Sequence, residues 1–247
     1  MLPRVVTVKM QVMMILPEGL VLTKATDMTE MKGKGVTPPP RGSGRMFNRP
    51  TDIAVHPVSG DLFISDGYGN NVIHHLRGDG SHVKTWGRPG AELGEFNTPH
   101  CVVIDPDLEH LIVCDRESNR LQVFDLDGNL TNWAFTMRPA AVCADTSGNF
   151  FVAQNKYGFE WTPNIGNRIA VYRGIEPAPK ELIHFGHGAE RGVDEPDSFV
   201  ALHSLAVDSA GDVYAAEVSW VNPEMGGSGL DPPREMRSLH KYKRMSG

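Results

Sequence analysis

FNRPTDIAVHPVSGDLFISDGYGNNVIHHLRGDGSHVKTWG, residues 47–87, is followed at 96–134 by FNTPHCVVIDPDLEHLIVCDRESNRLQVFDLDGNLTNWA. The two stretches are one pattern written twice. Phe47 aligns with Phe96, Pro50 with Pro99, Asp66 with Asp115 and Asn70 with Asn119, each at an offset of 49 residues. A period of that size marks a stacked or circular array. Each copy holds four short apolar runs separated by Gly, Asp and Asn; in the first they fall at 53–55, 62–65, 72–76 and 83–86. β-branched or alternating runs of this length, bounded by turn residues, read as strands. Four antiparallel strands per unit, repeated, predict an all-β fold, a β-propeller of four-stranded blades.

A third unit begins at Arg138-Pro139, with strands expected at 141–144, 150–153, 168–172 and 182–185. Its middle hairpin carries an insertion, NKYGFEWTPNIGN (155–167), whose Tyr157, Phe159 and Trp161 point to packing on a neighbouring blade or to a contact surface. A fourth unit follows Phe199, with strands expected at 203–207, 212–217 and 238–242 and a second long hairpin, VNPEMGGSGLDPPREM (221–236). Upstream, residues 5–15 and 20–23 read as a strand pair. They precede a Gly/Pro-rich loop, GKGVTPPPRGSGR (33–45), in which prolines cannot join a ladder. The expected organisation is therefore 1–46 as a strand pair and loop, then blades at 47–95, 96–137, 138–198 and 199–247. About four blades plus an N-terminal pair is the count of a small propeller or of an incomplete six-bladed one. Open blade edges would favour self-association.

The 247 residues suffice for one large domain, and burial of roughly three quarters of the unfolded surface needs no disulfide help. The three cysteines, Cys101, Cys114 and Cys143, lie in apolar runs at spacings that match no zinc motif and read as small buried hydrophobes. A net charge of −6 argues against nucleic-acid binding, which needs clustered positive charge. No run approaches the roughly 18 apolar residues of a membrane span, and no signal peptide is evident. The expectation is a soluble chain that does not bind membranes; the compartment stays open.

The run D-R-E-S-N-R-L-Q-V-F (115–124) resembles the NHL-repeat propellers, and G-N-R-I (166–169) does so more weakly. Three stretches are similar to the peptidyl-α-hydroxyglycine α-amidating lyase branch and its bacterial relatives. They are F-N-R-P-T-D-I-A-V (47–55) with S-D-G-Y-G-N (65–70), F-N-T-P-H (96–100) with D-R-E-S-N-R (115–120), and L-H-S-L-A-V-D (202–208). The resemblance implies a six-bladed propeller whose zinc is held by three channel histidines. The implied reaction cleaves the N–C bond of a C-terminal α-hydroxyglycine, giving a peptide amide and glyoxylate. Position by position, it implies His100 and His203 as two zinc ligands, and Tyr68 and Arg116 as residues that act on substrate. The third histidine and a second substrate arginine would belong to blades preceding residue 47. Ser204 stands where the lyases have an aspartate tied to structural calcium, which leaves calcium unsupported.

The chemistry fits these residue types. Zinc on the carbinolamide oxygen would lower the pKa of its hydroxyl. A phenol can move that proton, and an arginine fork can hold a carboxylate. Histidine recurs in one slot of alternate units: Pro99-His100 and Leu202-His203, against Pro50-Thr51 and Pro139-Ala140 in the others. In a ring, alternate blades direct such residues at one axial point. Two imidazoles imply weaker zinc binding than three, and weak lyase activity. Three functions stay open: a zinc lyase, a non-catalytic propeller binding a protein, peptide or small molecule at its central channel, and a fragment of a larger enzyme.

Overall fold

The computed structural model describes residues 46–105, 107, 109–155, 167–188, 195–218 and 237–245. The expected strand pair at 5–23, the Gly/Pro-rich loop after it and the inserted aromatics Tyr157, Phe159 and Trp161 lie outside those residues. So does the long hairpin at 221–236.

The chain is an all-β propeller of four antiparallel blades. The first blade runs in order through β1 (Asp52–Val55), β2 (Leu62–Asp66), β3 (Val72–Leu76) and β4 (His82–Trp86). The second comprises β5 (Pro99–Ile104), β6 (His110–Asp115), β7 (Arg120–Asp125) and β8 (Leu130–Phe135). The third comprises β9 (Pro139–Ala144), β10 (Asn149–Gln154), β11 (Arg168–Arg173) and β12 (Glu181–Phe185). After a connector that pairs β13 (His187–Gly188) with β14 (Ser198–Phe199) in parallel, the fourth blade follows. It has three strands among the described residues, β15 (Leu202–Val207), β16 (Val213–Glu217) and β17 (Leu239–Tyr242). The helix content of the described residues is one 3-10 turn, Arg116–Ser118. None of their helices is long and apolar enough to cross a membrane.

The first strands of successive blades stand side by side, β1 against β5, β5 against β9, and β9 against β15. Burial follows from this order. The second strands of the first two blades, covered on both faces, carry apolar runs; every residue of β2 and all but the first of β6 are buried, whereas β4 is exposed along most of its length. Phe63, Phe96, Phe124 and Phe199 are among the largest fully buried side chains. Burying each stabilises by about 1.5–3 kcal/mol. Cys101 and Cys114 are buried on facing strands and Cys143 is half-buried, all as free thiols within apolar strands.

The repeat register departs from the sequence alignment at one point. Asp66 pairs with Val72 across the β2–β3 hairpin, but Asp115 pairs with Arg120 across β6–β7. The first turn therefore holds one extra residue, and the counterpart of Asn119 is Asn71 rather than Asn70. Both adopt left-handed backbone, φ 57° and 55°, a conformation that asparagine tolerates better than most residues. Both do one job. The Asn71 Oδ1 accepts the Thr98 N–H at 2.7 Å, and the Asn119 Oδ1 accepts the Arg138 N–H at 3.0 Å. Asn167, at the same place in the third blade, donates to the Val200 carbonyl at 3.0 Å. Each asparagine thus ties its hairpin to the segment leading into the next blade. Asp66 and Asp115 are structural too, accepting the Asn48 and Asn97 N–H groups at 2.8 and 2.6 Å.

Candidate functional site

The first three blades begin with a sharp bend. Arg49, Thr98 and Arg138, each immediately before a proline, have φ of 64°, 63° and 34°. The left-handed region is costly for side-chain-bearing residues, and proline crowds the residue before it. The asparagine ties described above hold Thr98 and Arg138 there. The bend aims the next slot, Thr51, His100 or Ala140, along the start of the inner strand; His203 takes the same slot in the fourth blade without it.

Slot residues are stitched from blade to blade. The Thr51 hydroxyl donates to the Pro99 carbonyl at 2.6 Å, and His100 Nδ1 lies 2.7 Å from the Ala140 carbonyl. Asn155 donates to the Leu202 carbonyl at 2.7 Å. A carbonyl can only accept, so His100 carries its proton on Nδ1, and its Nε2 lone pair faces the site. That is the arrangement of a metal-ligating histidine, whose second nitrogen is anchored by an acceptor.

Tyr68 reaches this lone pair because glycine flanks it on both sides. A Cβ on Gly67 would fall 2.1 Å from the Pro99 carbonyl oxygen, and one on Gly69 1.9 Å from the Asn48 carbonyl oxygen. Only glycine lets this turn press onto the neighbouring backbone. The Tyr68 hydroxyl then donates to His100 Nε2 at 2.9 Å.

His203 arrives from the fourth blade. Its ring centroid lies 4.6 Å from that of His100, with the planes at 72°. Arg116, in the 3-10 turn after β6, holds its guanidinium carbon 5.7 Å from the Tyr68 ring centroid. The four residues expected from the sequence therefore lie together.

The electrostatics keep both imidazoles neutral. Burial, then the Arg116 charge, His203 and Arg138, push the pKa of His100 well below the usual histidine range; the Ala140 carbonyl opposes them. Burial and Arg116 push His203 down to about 4. Neutral imidazoles have lone pairs ready for a metal ion without proton competition at pH 7.

The donor set is nonetheless short for zinc. Among the described residues, no three His, Cys, Asp or Glu side chains group so as to hold a metal ion. His74 is tied to Thr85 and Asp66, His75 to Asp61 and His184 to Glu181, and His56 accepts the Ser59 N–H. The His187 Nδ1 is engaged by the Gly188 carbonyl. Two imidazoles fit the metal, and a third donor would have to come from outside the described residues.

Two residues that the sequence does not single out join the site. Glu117 accepts the Arg116 Nε–H at 3.0 Å and is gripped by both terminal nitrogens of Arg138. Arg138 shares the pre-proline place of Arg49 and Thr98, which is the one sequence signal it carries.

The NHL repeat family matches residues 96–124. The peptidylglycine alpha-amidating monooxygenase of Rattus norvegicus is 37% identical over 177 residues, covering 69% of this chain and 17% of that protein. The peptidyl-alpha-hydroxyglycine alpha-amidating lyase 1 of Drosophila melanogaster is 29% identical over 154 residues, covering 59% of this chain and 26% of its own length. The chain thus spans about a sixth to a quarter of these relatives. Among solved structures, Kuenenia stuttgartiensis hydrazine synthase superposes with a TM-score of 0.50 at 17% identity, covering 70% of this chain and 43% of that one, a likeness of fold alone.

Proposed function

We propose, for a propeller that carries an NHL repeat and is homologous to the amidating lyases, that its axial cluster is a lyase centre for peptides ending in α-hydroxyglycine. One observation carries this reading. Tyr68, His100, Arg116 and His203 come from three blades and meet within hydrogen-bond and ring-contact distance, at 2.9, 4.6 and 5.7 Å. A generic propeller has no need of that meeting.

His100 and His203 would hold the zinc, which supplies a Lewis acid that lowers the pKa of the substrate hydroxyl. The chain's own residues account for the rest. Arg116 offers its guanidinium to the substrate carboxylate. The Tyr68 oxygen takes the hydroxyl proton as its own O–H proton passes to the amide nitrogen. The C–N bond breaks with its electron pair on nitrogen, and a C=O bond forms. The products are a peptide amide and glyoxylate, with no net oxidation or reduction. Tyr68 must give up its present bond to His100 Nε2 in the process.

A second reading is a non-catalytic propeller that binds a peptide or small molecule in the same channel. The two-imidazole donor set among the described residues favours it. Assay of glyoxylate release from a peptidyl-α-hydroxyglycine, with zinc supplied, separates the two. Release above the uncatalysed rate supports the lyase. Peptide binding without release supports the binding module.

A further inference from the structure

The lead-in to the third blade, Arg138-Pro139-Ala140, touches the site at two places. Its Ala140 carbonyl fixes the tautomer of His100. Its Arg138 guanidinium grips both carboxylate oxygens of Glu117, one of them at 3.0 Å, and Glu117 in turn holds the Arg116 Nε at 3.0 Å. Arg138 is itself braced. Its Nε donates to the Asn155 carbonyl at 3.2 Å and its backbone N–H to Asn119 at 3.0 Å. Asn155 bonds the Leu202 carbonyl, directly before His203. The Arg116–Glu117–Arg138 chain is sheltered, with side-chain exposures of 15, 26 and 16%. Exposed ion pairs hold geometry poorly, because solvent and side-chain entropy compete; this one is largely removed from that competition.

The consequence falls on Arg116. With Nε occupied by Glu117, its rotation is fixed, and the rest of the guanidinium lies beside the Tyr68 ring. Glu117 alone would neutralise Arg116 and weaken its hold on an anion. Arg138 offsets the Glu117 charge through two bonds, so the triad keeps a net positive charge at the mouth of the histidine pair.

We propose that Arg138 is a positioning residue, which acts through Glu117 to orient Arg116 and to keep its charge available to a substrate carboxylate. The proposal rests on the lyase reading of the site and assigns it a residue that the resemblance did not imply.

The test is titration of the zinc-supplemented full chain with glyoxylate, comparing wild type, Glu117→Gln, Arg138→Met, Arg138→Lys, Arg116→Met and the Arg116→Met/Arg138→Met double variant. Outer partners of site residues typically change affinity or activity by about 10- to 100-fold. Arg138→Met should weaken glyoxylate by that factor with unchanged zinc content, and Arg138→Lys should recover part of it; Glu117→Gln, which keeps an acceptor oxygen for the Arg116 Nε and removes the charge that Arg138 offsets, should not weaken it. In the Arg116→Met background, Arg138→Met should add no further loss. A merely structural arginine would weaken both backgrounds alike, and that result would overturn the proposal. Should Arg138→Met fail to fold, Arg138→Gln replaces it with the same expectation, and wild-type affinity in that variant overturns the proposal. Wild-type binding of glyoxylate with no effect of either variant sinks the positioning role alone. No glyoxylate binding by the wild type sinks the lyase reading and this inference with it.

Discussion

The Tyr68 hydroxyl and the His100 Nε2 are 2.9 Å apart, although they belong to different blades. The bond ties a potential proton carrier to a potential metal ligand, so removing the hydroxyl acts on both. Tyr68→Phe should reduce any glyoxylate release by about 10²–10⁴-fold, the usual range for a positioned proton carrier. It leaves the buried His100 nitrogen unpaired, at a cost of about 1–3 kcal/mol without metal. Steady-state kinetics and urea melts, with and without zinc, read these separately; unchanged turnover would remove Tyr68 from the chemistry.

His100 and His203 should differ in what they do for stability. His100 is buried and holds the Ala140 carbonyl, whereas His203 is only half-buried. His100→Ala should therefore cost more than His203→Ala in the metal-free protein, by about 1–3 kcal/mol for the orphaned carbonyl. Equal denaturation midpoints for the two variants would show that the Ala140 bond adds little.

Acid should destabilise the metal-free protein through the same pair. His203 titrates at about 4 when folded against an ordinary 6.5, and His100 is also pushed well down. Between those limits the unfolded chain binds more protons than the folded one, so stability rises with pH and is lost as pH falls. The contribution is fully present above pH 6.5 and declines towards pH 4, by ~3 kcal/mol for His203 at about 1.4 kcal/mol per pH unit. Melts across that window should show a shallower decline for His203→Gln. An identical slope would place the acid sensitivity elsewhere.

Asn119 offers a test of the blade-to-blade tie. Its φ of 55° and its bond to the Arg138 N–H are separable contributions. Asn119→Gly keeps the backbone relaxed and loses the bond; Asn119→Ala loses both. The alanine variant should be less stable than the glycine variant by about 1 kcal/mol, the cost of a left-handed alanine. Reversed order in urea denaturation would deny the backbone contribution.

Much of this architecture is legible in the sequence because propeller blades are local. Within a blade each strand pairs with the next one in the chain, so periodic apolar runs and turn residues locate β1–β12 and β15–β17 to within a few residues. The histidine slot is legible for the same reason, since a repeat places equivalent residues at equivalent heights. The single extra residue before Asn71 is not legible, because N-N offers two asparagines and only the left-handed φ selects one. Nor are Glu117 and Arg138. Their link is a contact between blades, made by side chains 21 residues apart in a period of 49.

The proposed pairing of His100 and His203 as one metal site is checked by the zinc content of purified protein after dialysis against a low zinc concentration. The wild-type chain should hold up to one zinc, bound more weakly than by a three-histidine site. His100→Ala, His203→Ala and the double variant should hold none. Full zinc retention in the double variant would contradict it.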